Sequence, residues 1–100
     1  MPITIAATQM ACSWDIQSNI EKAINLIHKA ADLGAEIILL QELFETPYFC
    51  IDTRNEHFDL AKTLSDQPTI KKMQIIAKDR GVVLPISFFE KSGPVYFNSI

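Results

Sequence analysis

The first forty residues change their hydrophobic period twice, and this change predicts the fold class. Residues 3–9 form a short apolar run that is compatible with a β-strand. Residues 16–33 then place apolar side chains three and four positions apart, as in an amphipathic helix packed on a sheet. Residues 36–40 are predicted to form the second strand, and the continuous apolar run at 37–40 predicts that it is buried on both faces. This order predicts an α/β fold containing a βαβ unit with two parallel strands.

Capping residues bound the two predicted helices. Asp15 and Ser18 are both candidate N-caps of the first helix, and Gly34 is expected to end it. Pro68 suits the first turn of the second helix, because its missing N–H would have had no partner there. Gly81 is expected to end that helix.

The remaining segments are expected to be less regular. Residues 58–64 predict a short helix, and residues 82–89 predict a third strand in which Pro85 implies an edge or a bulge. A turn at 91–94 precedes a fourth strand over 95–100. Since the chain stops within that apolar run, residues 1–100 are interpreted as the N-terminal part of one incomplete domain.

Composition and charge exclude several classes of protein. The net charge is −3 and no basic run is present, which argues against a nucleic-acid partner. The N-terminus has no signal-peptide pattern, and the longest apolar run, residues 37–40, is too short for a bilayer. Cys12 and Cys50 are therefore expected to be reduced thiols in a cytoplasmic protein that contacts no membrane.

The most informative single residue is Glu42. A carboxylate placed directly after a buried strand lies at the carboxyl end of a sheet, where α/β proteins bind ligands. Phe44, Tyr48 and Phe49 follow and are suited to wall a pocket there. Position alone also fits a structural carboxylate that caps a backbone group or forms an ion pair, and it favours that reading.

Several motifs resemble those of the nitrilase superfamily of carbon–nitrogen hydrolases, and within it the N-carbamoylputrescine amidase branch. The resemblance covers all 100 residues. Many superfamily members have Pro before the family's Glu, whereas this chain has Gln41, as do the carbamoyl-amide branches. The segments that carry the resemblance are Thr8-Gln9-Met10, Gln9 to Asp15, Ile37 to Phe44, Gln41 to Cys50, and Val82 to Glu90.

This resemblance implies an α-β-β-α sandwich with a Glu–Lys–Cys triad and no metal or organic cofactor. Glu42 matches the family's general base, whereas neither the Lys nor the Cys motif has a match within residues 1–100. Tyr48 and Glu45 are the candidate substrate-binding residues. The resemblance also implies a homo-oligomer.

The function that the resemblance implies is hydrolysis of a linear carbamoyl amide. N-carbamoylputrescine would give putrescine, ammonia and carbon dioxide, in polyamine biosynthesis. Two alternatives stay open. The substrate could be another linear amide or ureido acid, or the 100-residue chain could be a non-catalytic fragment.

Two other arrangements can be drawn from the sequence, and both are disfavoured. Cys50, His57 and Glu42 could form a thiol–imidazole–carboxylate triad, but buried free thiols explain both cysteines more simply. A metal site from the two cysteines, His28 and His57 lacks paired ligand spacing. His28 is expected to be exposed on the polar face of the first helix.

Overall fold

The computed structural model describes residues 2–52 and 54–100. Three short 3₁₀ helices lie between β2 and α2, at Phe49–Ile51, Asn55–Leu60 and Leu64–Asp66. The other elements, in chain order, are β1 Ile5–Ala7, α1 Ile16–Asp32, β2 Ile37–Leu39, α2 Pro68–Arg80, β3 Phe88–Ser92 and β4 Val95–Ser99.

The predicted βαβ unit is confirmed. β1 and β2 are parallel, with Ile5 opposite Ile37. Val83 adds a parallel bridge on the other side of β2, since its N–H donates to Glu36 O at 2.8 Å and its carbonyl accepts from Ile38 N at 3.0 Å. The carboxyl ends of β1 and β2 therefore meet at one edge, where a site can form.

The helix boundaries follow the capping residues. Asp15 is the N-cap of α1, because its carboxylate accepts a hydrogen bond from Ser18 N at 3.1 Å. Gly34 follows the helix with a φ of 96°. Pro68 occupies the first turn of α2, and Gly81 ends it in the left-handed region with a φ of 63°.

Both helices pack against the same face of the parallel strands. Ile27 and Met73 are buried with Ile38 in one cluster, so the core lies between the helices and the sheet. The other buried members of this cluster are Ile20, Ala23, Ala35, Leu40, Phe44 and Ile86.

The prediction that β2 is buried on both faces is wrong for this chain. Ile38 is fully buried, but Leu39 is 46 % exposed and Ile5 of β1 is 72 % exposed. The reason is that α1 and α2 share one side of the sheet, so the side chains that alternate to the other side face solvent. An apolar sheet face is left open.

The predicted third strand begins too early. Residues 82–86 contribute only the bridge at Val83, and the regular strand β3 begins at Phe88. Pro85 has no N–H to donate, which fits this interruption. β3 then pairs with β4 in an antiparallel hairpin that turns at Gly93.

The short helix expected over 58–64 is replaced by two 3₁₀ helices that meet this range at its ends, Asn55–Leu60 and Leu64–Asp66. Within the described residues, no helix combines the length and apolar character needed to cross a bilayer.

Candidate active site

Glu42 lies in the loop that follows β2, and the residue before it anchors this loop. The Gln41 amide pairs with Met10 on both sides, accepting from Met10 N at 3.0 Å and donating to Met10 O at 3.1 Å. This pairing joins the segment after β1 to the segment after β2. Glu42 itself is exposed and accessible to a small molecule.

The backbone bends sharply directly after Glu42. Leu43 has a φ of 50°, which costs a residue with a β-carbon about 1–2 kcal/mol. The strained conformation is supported from both sides, because the Leu43 side chain is buried and its N–H donates to Ser87 Oγ at 3.0 Å. Such strain is frequent at functional sites, where it fixes the direction of a neighbouring side chain.

The carboxylate of Glu42 contacts an amide on β4. Asn98 Nδ2 donates to Glu42 Oε1, and Ser87 Oγ lies 3.4 Å from Asn98 Oδ1. In the part of the chain that the structure describes, Glu42 forms no ion pair with a lysine or arginine. The polar partner of this carboxylate is therefore a neutral donor.

Tyr48 lies within electrostatic reach of Glu42. The negative charge of Glu42 raises the pKa of the Tyr48 hydroxyl, and Cys50 adds to this by charge and by hydrogen bonding. The Tyr48 side chain is partly exposed. The structure thus places one of the two predicted substrate-binding residues within electrostatic reach of Glu42.

Glu45 is placed differently from Tyr48. Its side chain lines a cavity of about 170 Å³, together with Asp59, Lys62 and Gln67, and Glu42 is not among the residues that line this cavity. A role for Glu45 in binding a cationic group stays a prediction, and the structure places Glu45 at this cavity.

Asn19 was missed by the sequence analysis, although it holds two loops of the site. Its Nδ2 donates to Ser13 O at 2.6 Å and to Glu45 O at 2.8 Å, and its Oδ1 accepts from Ser13 N at 3.0 Å. The side chain is fully buried. Its spacing in the sequence could have revealed its burial. Asn19 lies four and eight positions before Ala23 and Ile27 and therefore falls on the apolar face of the helix.

Both cysteines are free, as expected, but only Cys12 is shielded. Cys12 Sγ lies 3.3 Å from Phe44 O and 3.3 Å from Gln41 Nε2, and burial raises the pKa of this thiol. Cys50 was expected to be buried and is exposed, because the 3₁₀ helix that carries it turns Phe49 inward instead.

The disfavoured triad and metal site gain no support from the described residues. His57 packs between the rings of Trp14 and Phe49, at centroid distances of 5.8 and 5.3 Å, and no hydrogen bond joins it to Cys50 or Glu42. No three His, Cys, Asp or Glu side chains among residues 2–52 and 54–100 are grouped to hold a metal.

His28 was expected to be exposed and is half-buried instead. Its helical turn lies against the end of α2, where Arg80 Nη2 approaches His28 O at 3.5 Å and pairs with Asp32.

Comparison with known proteins identifies chains that are similar to this one over almost all of its sequence. A family model described as carbon–nitrogen hydrolase matches residues 4–100. The N-carbamoylputrescine amidases of Solanum lycopersicum and Arabidopsis thaliana are each 46 % identical over 98 residues, covering 98 % of this chain and 33 % of theirs. A citrullinase of Francisella tularensis is 39 % identical over 98 residues, covering 98 % of this chain and 34 % of its own. The chain thus spans about a third of the length of these relatives.

Solved structures show the same fold. A carbon–nitrogen hydrolase from Helicobacter pylori G27 superimposes with a TM-score of 0.79 and 27 % identity, over 96 % of this chain and 33 % of that one. An amidase from Nesterenkonia sp. superimposes with a TM-score of 0.63 and 26 % identity, over 92 % of this chain and 34 % of that one. The described elements therefore correspond to a third of a larger α/β architecture.

Proposed function

Because this chain belongs to the carbon–nitrogen hydrolase family, we propose that it forms the N-terminal part of an amidohydrolase acting on linear carbamoyl amides, with Glu42 as the general base. The observation that carries the proposal is the placement of Glu42. It is an exposed carboxylate at the carboxyl end of β2, anchored by Gln41 and oriented by a neutral amide. A base needs this combination of access and fixed direction.

The roles follow from the Glu–Lys–Cys chemistry that the family resemblance implies. Glu42 takes the proton from a nucleophilic thiol, which attacks the carbamoyl carbon, and gives that proton to the leaving nitrogen as the C–N bond breaks. The carboxylate, free again, then takes a proton from the water that releases the acyl group. An ammonium group stabilises the tetrahedral oxyanion. The lysine and cysteine that would do this have no motif match within residues 1–100, so the 100-residue polypeptide alone is expected to be inactive.

N-carbamoylputrescine is the proposed substrate, and its products would be putrescine, ammonia and carbon dioxide. Relatives carrying that activity in their names are 46 % identical to this chain. Tyr48 is the proposed substrate contact near Glu42, since a phenol can donate or accept a hydrogen bond to a carbamoyl group. We further propose that the protein is cytoplasmic and that it forms a homo-oligomer. Light scattering of the purified protein would test the oligomeric state.

A ureido acid is the second candidate substrate, because a citrullinase is 39 % identical over the same residues. The two candidates differ at the end of the substrate remote from the carbamoyl group, where one carries an amine and the other an amino acid. A comparison of kcat/KM for N-carbamoylputrescine and citrulline separates them.

The general-base role is tested with Glu42→Gln in the full-length protein. The amide keeps the shape of the side chain but cannot take a proton, so we expect kcat to fall by roughly 10²–10⁴-fold. Glu21→Gln, on the exposed face of α1, is the matched control and should retain the parent rate. Activity of Glu42→Gln within a few-fold of the parent would remove Glu42 from this role.

A further inference from the structure

A closed ring of hydrogen bonds contains Glu42. Asn98 lies on β4 and donates through Nδ2 to Glu42 Oε1. Ser87 Oγ lies 3.4 Å from Asn98 Oδ1, and the same Oγ accepts from Leu43 N at 3.0 Å. Because Leu43 follows Glu42 directly, the ring starts on the backbone beside the carboxylate and ends on the carboxylate itself.

When Glu42 is ionised, one direction around this ring satisfies every group. The Leu43 N–H donates to Ser87 Oγ, which leaves the serine hydrogen available for Asn98 Oδ1. The amide of Asn98 then presents Nδ2 to Glu42. A carboxylate that has lost its proton can only accept, so the ring is fully satisfied when Glu42 is ready to act as a base.

The elements that carry the ring are suited to hold it. Ser87 is buried, which limits competition from water for its hydroxyl. Asn98 lies opposite Phe89 in the regular hairpin of β3 and β4, and side chains on strands are held more firmly than those on loops. The strained backbone of Leu43 is fixed by the same serine.

We propose that Asn98 is a positioning residue, which holds the Glu42 carboxylate in the orientation needed for proton abstraction, and that Ser87 fixes which end of the Asn98 amide faces it. The inference rests on the proposed function, since it assigns a partner to the proposed base. Asn98 acts through Glu42 and needs no contact with the substrate.

The first test is Asn98→Leu in the full-length protein. Loss of the donor should lower kcat by roughly tenfold to a hundredfold, with a smaller change in KM. A purely structural role would instead disturb the whole loop, and so would change KM along with kcat.

The second test uses a substitution of equal size. Asn98→Asp keeps the shape of the side chain but faces Glu42 with an acceptor. If only the shape of this side chain mattered, the variant would keep nearly the parent activity. We expect instead a loss at neutral pH at least as large as that of Asn98→Leu. Ser87→Ala should give a smaller loss in the same direction, because the amide can still donate but is free to rotate.

Asn25 provides the matched control, because it is exposed on α1 and takes no part in the ring. Asn25→Leu and Asn25→Asp should keep the parent kcat and KM. The proposal is overturned if Glu42→Gln is inactive while Asn98→Leu and Asn98→Asp keep the parent kcat. Full activity of Glu42→Gln is a different result, because it removes the proposed function itself. Since Asn98 is exposed, both of its variants should fold, which circular dichroism would verify.

Discussion

Single residues in the loop after β2 determine what Glu42 can contact. Leu43 bends the backbone, so that Glu42 turns to solvent while Leu43 and Phe44 turn into the core. The electrostatic consequence appears at Tyr48, where the nearby negative charge makes loss of the phenol proton less favourable. Tyr48 is therefore a reporter of the charge on Glu42.

The Tyr48 pKa should fall when that charge is removed. Glu42→Gln leaves a neutral neighbour, so the pKa of Tyr48 should return toward its ordinary value of about 10. The ¹³Cζ resonance of Tyr48, assigned with Tyr48→Phe, measures this in a pH titration. Glu45→Gln is the control on the same loop, because Glu45 lines the 170 Å³ cavity and is not among the groups that shift the Tyr48 pKa, so this variant should leave that pKa unchanged. Equal shifts from both variants would contradict the pairing of Tyr48 with Glu42.

The helices and the parallel strands were predictable because their signals are local. Apolar spacing placed α1 and α2, and Asp15, Gly34, Pro68 and Gly81 marked their ends. The start of β3 was missed, because a strand with Pro85 near its beginning depends on a partner elsewhere in the chain. An element is predictable from sequence when the contacts that form it lie within it.

Gly81 offers a clean test of one of these signals. Its φ of 63° disfavours a β-carbon, yet nothing lies within 4 Å of the position that a β-carbon would take. Gly81→Ala should therefore destabilise the protein through backbone strain alone, by about 1 kcal/mol. Gly81→Asn should cost less, because asparagine tolerates this conformation. Urea denaturation measures both, and equal losses would show that something other than backbone conformation dominates.

The candidate site was only partly predictable, for a reason that belongs to the whole molecule. Glu42 was found from its place after a strand, together with the family resemblance. Asn98 and Ser87 were not found, because they lie 56 and 44 residues along the chain from their partners and share no local pattern with them. Only the assembled sheet and hairpin bring these residues together.

One apolar face of the parallel strands lies open in the described molecule. Ile5, Leu39 and Val83 expose apolar side chains on the side that the helices leave uncovered. In an α-β-β-α sandwich this side of a sheet faces the second sheet, so its apolar character agrees with the fold class. In the polypeptide of residues 1–100 the same face is exposed to solvent.

That exposure predicts dye binding by the 100-residue polypeptide. Leu39→Ser should lower the fluorescence of the hydrophobic dye ANS without loss of helical circular dichroism, because Leu39 contributes to the open face rather than the core. Ile38→Ser, one position earlier and fully buried, is the matched control and should disrupt the helical signal. Unchanged dye fluorescence in Leu39→Ser would mean that the open face does not bind the dye.

The amide of Gln41 has a consequence for anyone who recombines members of this family. Its two hydrogen bonds to the backbone of Met10 replace the backbone hydrogen bonds that one more residue of a strand would form. A proline at position 41 offers no such amide, so the segment at residues 10–13 would need another anchor. Chimeras that exchange this segment between relatives should therefore transfer residue 41 with it, although the two are distant in sequence.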